Sequence, residues 1–208
     1  MITDRLANPE LAECEVGGVS RASFLMRGAL AAGAVYGVGA VTPFVSSALG
    51  ATTSDLDILN FALTLEYLET DFYQVKGKTV GLTGLAAHDV GNFGKEEAAH
   101  VAALTAAIKA AGGTPVPKPT FVFPVSNASQ FLNLAYTVEN LGVSAYNGAG
   151  PLLRSKSLLA AAGSIVQIEA RHAAAIALMI GKSPTPDGGF DAPKTTAQVL
   201  AVAKPLIK

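Results

Sequence analysis

From Thr52 onward the hydrophobic positions fall into four stretches that carry the three- and four-residue intervals of an amphipathic helix. The first is expected over about 54–76. Apolar side chains recur there at Ile58, Phe61, Ala62, Leu65, Leu68 and Phe72, and Ser54 with Asp57 three residues on is a helix-opening pair. The second spans about 83–111 and stops at Gly112-Gly113. The third spans about 128–148, capped by Ser126 or Asn127, and the fourth about 156–180, ending at Gly181. Short loops near 77–81 and 148–154 join first to second and third to fourth, so each pair should lie antiparallel.

The connection between the second and third helices is of another kind. Residues 113–126 contain Pro115, Pro117, Pro119 and Pro124, which excludes a helix and favours extended chain. Fourteen extended residues at ~3.3 Å each reach roughly 46 Å. A helix of 23 residues is about 35 Å long. The segment can therefore run the whole length of a bundle. The expected architecture is all-α: a four-helix bundle over 52–182 with one long crossover between helices two and three. A tail over 183–208, with an apolar stretch from Val199 to Ile207, should pack on the bundle outside any site.

Composition narrows the chemistry. Half of the 208 residues are hydrophobic, 15% are charged and there is no Trp, which suits helices packed closely through small side chains. A formal net charge of −1 gives no electrostatic footprint for nucleic acid. The single cysteine, Cys14, excludes an internal disulfide and any multi-thiolate metal site. A chosen metal would have to be held by carboxylates and imidazoles.

The first 51 residues read as an address. An acidic start is followed by Ser20-Arg21-Ala22-Ser23-Phe24-Leu25-Met26-Arg27, an uncharged run from Gly28 to about Gly50, and small residues at its end. These are the parts of a secretory signal. The segment resembles a twin-arginine export signal, departing from it at Ala22, where the second Arg should stand. The expectation is an exported protein, periplasmic, cell-surface or secreted. The run is also long enough to span a bilayer as an uncleaved anchor, the one contact with a membrane that the sequence suggests.

The chemistry lies in the bundle. From Thr52 on there are six Glu, at 66, 69, 96, 97, 139 and 169, and the whole chain has three His, at 88, 100 and 172. Two of the His stand three residues after a Glu, in Glu97-Ala-Ala-His100 and Glu169-Ala-Arg-His172. That spacing puts both side chains on one helix face, a turn apart, where they can hold one metal between them. Helices two and four each supply such a pair, while helices one and three each supply a lone Glu, Glu66 and Glu139. One Glu from each of two helices and Glu-x-x-His from the other two is the inventory of a dimetal carboxylate bundle.

The second half repeats the first. Glu66 to Glu97 is 31 residues and Glu139 to Glu169 is 30, and a tyrosine follows each lone Glu at plus seven, Tyr73 and Tyr146. Two helical turns bring each Tyr to its Glu's face, either as a core residue or as an outer hydrogen-bond donor to a ligand carboxylate. Glu69 rivals Glu66, one turn on and nearer the centre of the apolar stripe, but the Tyr73 spacing favours Glu66. Glu96 precedes a ligand and should point to solvent, and His88, without a partner at helical spacing, should lie on the surface. Four buried carboxylates would repel one another, and two divalent cations would cancel their charge. Carboxylate plus imidazole without thiolate suits Fe or Mn, and less exclusively Zn.

The run from Leu59 through Glu66 to Tyr73 resembles the first helix of bacterioferritin-type proteins. The whole pattern, with the Phe190-Asp191-Ala192-Pro193 tail, is similar to the ferritin-like family that includes desiccation-related proteins. That resemblance implies a ferritin-like four-helix bundle. In the family pattern Glu66 and Glu139 are terminal ligands, Glu97 and Glu169 bridge two metals, and His100 and His172 bind one each. It implies a di-iron centre, with manganese the alternative, that reacts with O2 or peroxide in ferroxidase-like or catalase-like fashion. The other reading is a non-catalytic, metal-binding stress or desiccation-related surface protein. A homo-oligomer stays open.

Overall fold

The computed structural model describes residues 54–208. The export signal expected over 1–51 lies outside them. Four long helices form the bundle: α1 (Asp55–Asp71), α2 (Gly84–Ala110), α3 (Ala128–Ala149) and α4 (Lys156–Met179). A short α5 (Thr196–Ala203) lies in the tail. Their ends are set by local chemistry. Ser54 and Asp57 close a reciprocal capping box at the start of α1, and Asn127 caps α3 by accepting from Gln130 N at 3.0 Å. Gly112 (φ +77°) and Gly181 (φ +69°) end α2 and α4 in the left-handed region, where glycine carries no Cβ penalty. The next amides then return to carbonyls of the last turn, Gly113 N to Ile108 O at 2.9 Å and Lys182 N to Ala177 O at 2.8 Å.

Helix α1 does not stop at Asp71. It continues as a π-helical turn over Phe72–Lys76 and a 3-10 turn over Gly77–Thr79. Periodicity read this stretch as plain α-helix, because a one-turn change of hydrogen-bond pitch leaves the apolar pattern nearly intact. The π turn carries Tyr73 and Gln74, and Gln74 donates its side-chain amide to Gly94 O on α2.

Helix α1 packs chiefly on α2 and α3 on α4, giving two hairpins. The crossover runs along α1. Asn60 accepts from Val116 N at 2.8 Å and donates to Thr114 O at 3.3 Å, Lys118 pairs with Asp71 at 2.7 Å, and Phe123 meets Phe72 edge-on. Two apolar clusters fill the bundle at either end. One is built on Ile58, Leu63, Leu104, Ile108 and Ile165, the other on Phe72, Val90, Phe93, Phe131 and Ile176. The Glu and His positions of each helix fall between them.

The tail covers one side. Val199, Ala203 and Leu206 are buried against Leu65, Leu68, Val138 and Leu141 of α1 and α3. Its last residues meet the crossover in an antiparallel bridge, Phe121 with Ile207. Val122 N donates there to Leu206 O and Lys208 N to Thr120 O, each at 2.9 Å. Among the described residues no helix is long and apolar enough to cross a membrane.

Candidate metal centre

Glu66 comes from α1, Glu97 and His100 from α2, Glu139 from α3, Glu169 and His172 from α4, and all six are buried. The four carboxylates have no solvent exposure at all (0%). Their donor atoms form two groups, each able to surround one cation: Glu66, Glu97, His100 and Glu169 in one, Glu97, Glu139, Glu169 and His172 in the other. Within each group the atoms lie within 4.8 Å of one another, and Glu97 and Glu169 belong to both.

The contacts follow the pseudo-symmetry of the two hairpins. His100 Nδ1 lies 2.8 Å from Glu97 Oε2, 3.1 Å from Glu66 Oε2 and 3.3 Å from Glu169 Oε1. His172 Nδ1 lies 2.7 Å from Glu97 Oε1 and 3.6 Å from Glu139 Oε1. The second distance is too long for a hydrogen bond, and the first lacks hydrogen-bond alignment. His172 Nδ1, Glu97 Oε1, Glu139 Oε2 and both Glu169 oxygens are therefore buried without a partner. Orphaned lone pairs turned toward a common interior are costly as they stand and are what a cation would satisfy. The donor set fits a pair of hard or borderline metal ions.

Both tyrosines are buried, and each reaches across the bundle to the opposite hairpin. Tyr146 Oη of α3 donates to Glu66 Oε1 on α1 at 2.5 Å, and Tyr73 Oη donates to Glu139 Oε1 on α3. The plus-seven spacing puts each Tyr on the face of its own helix's Glu, as a core residue or as an outer donor to a ligand carboxylate, and leaves open which carboxylate it meets. A helix face shared with Glu66 looks toward α3 as well, so the hydroxyl of a long ring meets the neighbouring helix's carboxylate.

Glu96 departs from expectation. It is half-exposed, but its Oε2 lies 2.6 Å from His172 Nε2. Helices α2 and α4 approach each other here, so a residue at the rim of the ligand face still reaches the ring edge turned away from the centre. It thereby turns Nδ1 of His172 inward. His88 is a surface residue, its side chain 71% exposed beside Asp89.

Charge in the metal-free cluster is shared unevenly. Burial pushes Glu66 up to about 8 against the pull of His100 and raises Glu139, and burial with the charges of Glu66 and Glu97 carries Glu169 well above the usual carboxylate range. Burial also opposes charge on Glu97, but the two imidazoles win and hold it down at about 2. For His100 burial is outweighed by Glu169, Glu66 and Glu97, which carry it up to about 12, and for His172 by Glu139 and Glu97, to about 11. Protons stand where cations would, and metal binding must displace them.

Glu69, the rival that the sequence ranks below Glu66, is 2% exposed, while Glu66 is the one that stands in a donor group. The signal that it lay nearer the centre of the apolar stripe was sound, because that stripe faces the site.

The ferritin-like domain family matches residues 54–182. None of the curated proteins matches the chain. Two solved structures share the fold. One is a conserved hypothetical protein, rv2844, from Mycobacterium tuberculosis, with a TM-score of 0.55 and 18% identity over 60% of this chain and 88% of that one. The other is described as ferritin like, diiron-carboxylate proteins from Bacillus anthracis str. Ames, with a TM-score of 0.52 and 22% identity over 60% of this chain and 94% of that one.

Proposed function

The chain belongs to the ferritin-like domain family, and from that premise we propose that its carboxylate–histidine cluster is a dinuclear metal centre, iron by preference and manganese as the alternative. Glu66 with His100 would hold one ion and Glu139 with His172 the other, while Glu97 and Glu169 serve both. The observation that carries this reading is the set of buried ligand atoms without hydrogen-bond partners, enclosed between two apolar clusters. When bound, a pair of iron ions supplies two electrons in passing from Fe(II) to Fe(III), at the expense of O2 or peroxide.

The protein's own share is positioning and exclusion. Tyr146 and Tyr73 hold the outer oxygens of Glu66 and Glu139 by hydrogen bonds, which leaves the remaining oxygens free to bind. Glu96 orients His172 from outside. Leu63, Phe72, Phe131 and Ile176, all fully buried, keep bulk water away from the cluster and so strengthen every charge interaction within it. Export to the periplasm, the cell surface or the medium belongs to the same reading and rests on residues 1–51 alone.

Anaerobic titration with Fe(II), followed by exposure to O2 or peroxide, tests this. Two ions should bind per chain, and the near-ultraviolet absorbance of ferric iron should rise as oxidant is consumed. Two tightly held ions with no oxidation would leave the non-catalytic metal-binding reading. A chain that binds neither iron nor manganese, and melts at the same temperature with and without them, would refute the centre itself.

A further inference from the structure

Resting on the dinuclear reading above, we propose that Glu69 is a seventh protein ligand of the centre, admitted to it by Gly142. The two residues occupy matched positions in the repeat. Glu69 stands three after Glu66, and Gly142 three after Glu139. Each position is one turn on from a lone glutamate and on the same face. One hairpin places a carboxylate there and the other places no side chain at all.

The geometry shows what the missing side chain makes room for. A Cβ on Gly142 would stand 2.6 Å from Glu169 Oε2 and 3.1 Å from Glu69 Oε1. Two carboxylates from α1 and α4 thus meet over the Cα of α3. Glu169 belongs to both groups of donor atoms, so Glu69 approaches the centre beside a residue that the two half-sites share.

Glu69 has nothing else to do. It is 2% exposed, and its Oε2 is buried without a hydrogen-bond partner. Its other flank is a small cavity of about 70 Å³ lined mostly by apolar side chains, Leu68, Leu134, Leu141, Val202 and Leu206, which offer its carboxylate no hydrogen-bond partner. Thr137, also on that wall, donates its hydroxyl to Asn133 O at 3.2 Å. An ionised carboxylate buried there with a free oxygen, beside other carboxylates, needs a cation to offset its charge.

The charge count gives the consequence. Four carboxylates balance two divalent ions, and a fifth leaves one negative charge in excess. That excess favours an ion of higher charge, so Glu69 biases the centre toward its oxidised, trivalent state. It also makes the two half-sites unequal, although the six-residue ligand set is symmetric.

Co(II) is the probe, because its visible absorption weakens as coordination number rises and requires no turnover. Titrations of the full chain are compared with those of Glu69→Gln, Glu69→Met and Gly142→Ala, alongside the metal-free melting temperature of each. Wild type should take up two Co(II). Glu69→Gln and Glu69→Met should bind one of them about tenfold or more weakly, with stronger visible bands and no loss of metal-free stability. Gly142→Ala, whose new Cβ would stand 2.6 Å from Glu169 Oε2 and 3.1 Å from Glu69 Oε1, should displace both carboxylates and weaken both ions, unlike the Glu69 variants. If wild type loads two ions and both Glu69 variants match it in affinity and spectrum, Glu69 is no ligand and the dinuclear reading survives alone. If wild type takes up no Co(II), Fe(II) or Mn(II), both readings fall together.

Discussion

Replacing Tyr146 by Phe removes one hydroxyl from the interior and nothing else. That hydroxyl donates to Glu66 Oε1 at 2.5 Å, and both groups are buried. With metal bound Glu66 is a carboxylate; a hydrogen bond to a charged group contributes about 1.5–3 kcal/mol, and its loss here also leaves a carboxylate oxygen without a donor. In a domain of this size each kcal/mol moves the melting temperature by about 2–4 °C, so a fall of roughly 3–12 °C is expected. Outer hydrogen bonds to ligands are worth about 10–100-fold in metal affinity. The cross-bundle pairing decides where that loss appears. Tyr146→Phe should weaken the ion held by Glu66 and His100, whereas Tyr73→Phe should weaken the ion held by Glu139 and His172. Calorimetric titration with Co(II), repeated in a His100→Ala or His172→Ala background so that one half-site is read at a time, separates the two. If Tyr146→Phe left the Glu66 half intact and damaged the Glu139 half, the pairing would be wrong. If neither substitution changed affinity, both tyrosines would be core residues only.

Glu96→Ala releases His172 Nε2, so affinity at the His172 half should fall by about tenfold while the His100 half holds. Equal loss at both, or none, in the same titration would remove Glu96 from the ligand's support. The metal-free protein should be most stable near pH 4.5 to 5. Glu66 is raised from 4.5 to about 8, so its contribution is complete below 4.5 and lost as pH climbs through 8. His100, raised from 6.5 to about 12, adds a loss that begins above 6.5. Glu97, lowered to about 2, acts on the other side, its contribution present above 4.5 and lost as pH falls toward 2. Thermal melts of chelator-treated protein from pH 3 to 9 check this, and a metal-free chain that gained stability between pH 5 and 8 would contradict it.

Much of this was legible in the residues because helical spacing is a local rule. Glu-x-x-His on α2 and α4, the prolines of the crossover, and the caps at Ser54 and Asn127 each state their role within a few positions. What escaped notice depends on which helix lies opposite. No count along one helix says that Tyr73 will reach Glu139, or that Glu96 will meet His172 across the gap from α2 to α4. The rivalry between Glu66 and Glu69 was framed as a choice, yet a buried face can hold both when a glycine on the next helix yields the space. The π turn at Phe72–Lys76 is hidden for a different reason. It changes hydrogen-bond pitch for a single turn while the apolar stripe runs on unbroken.

The antiparallel bridge between Phe121 and Ile207 joins the crossover to the last residues of the chain. Covalently, the crossover is the strap between the two hairpins, and the contacts of His100 with Glu169 and of His172 with Glu97 span from one hairpin to the other. The tail that follows α4 also packs on α1 through Val199, Ala203 and Leu206, so the second hairpin grips the first a second time, and residues 206–208 fasten that grip to the strap itself.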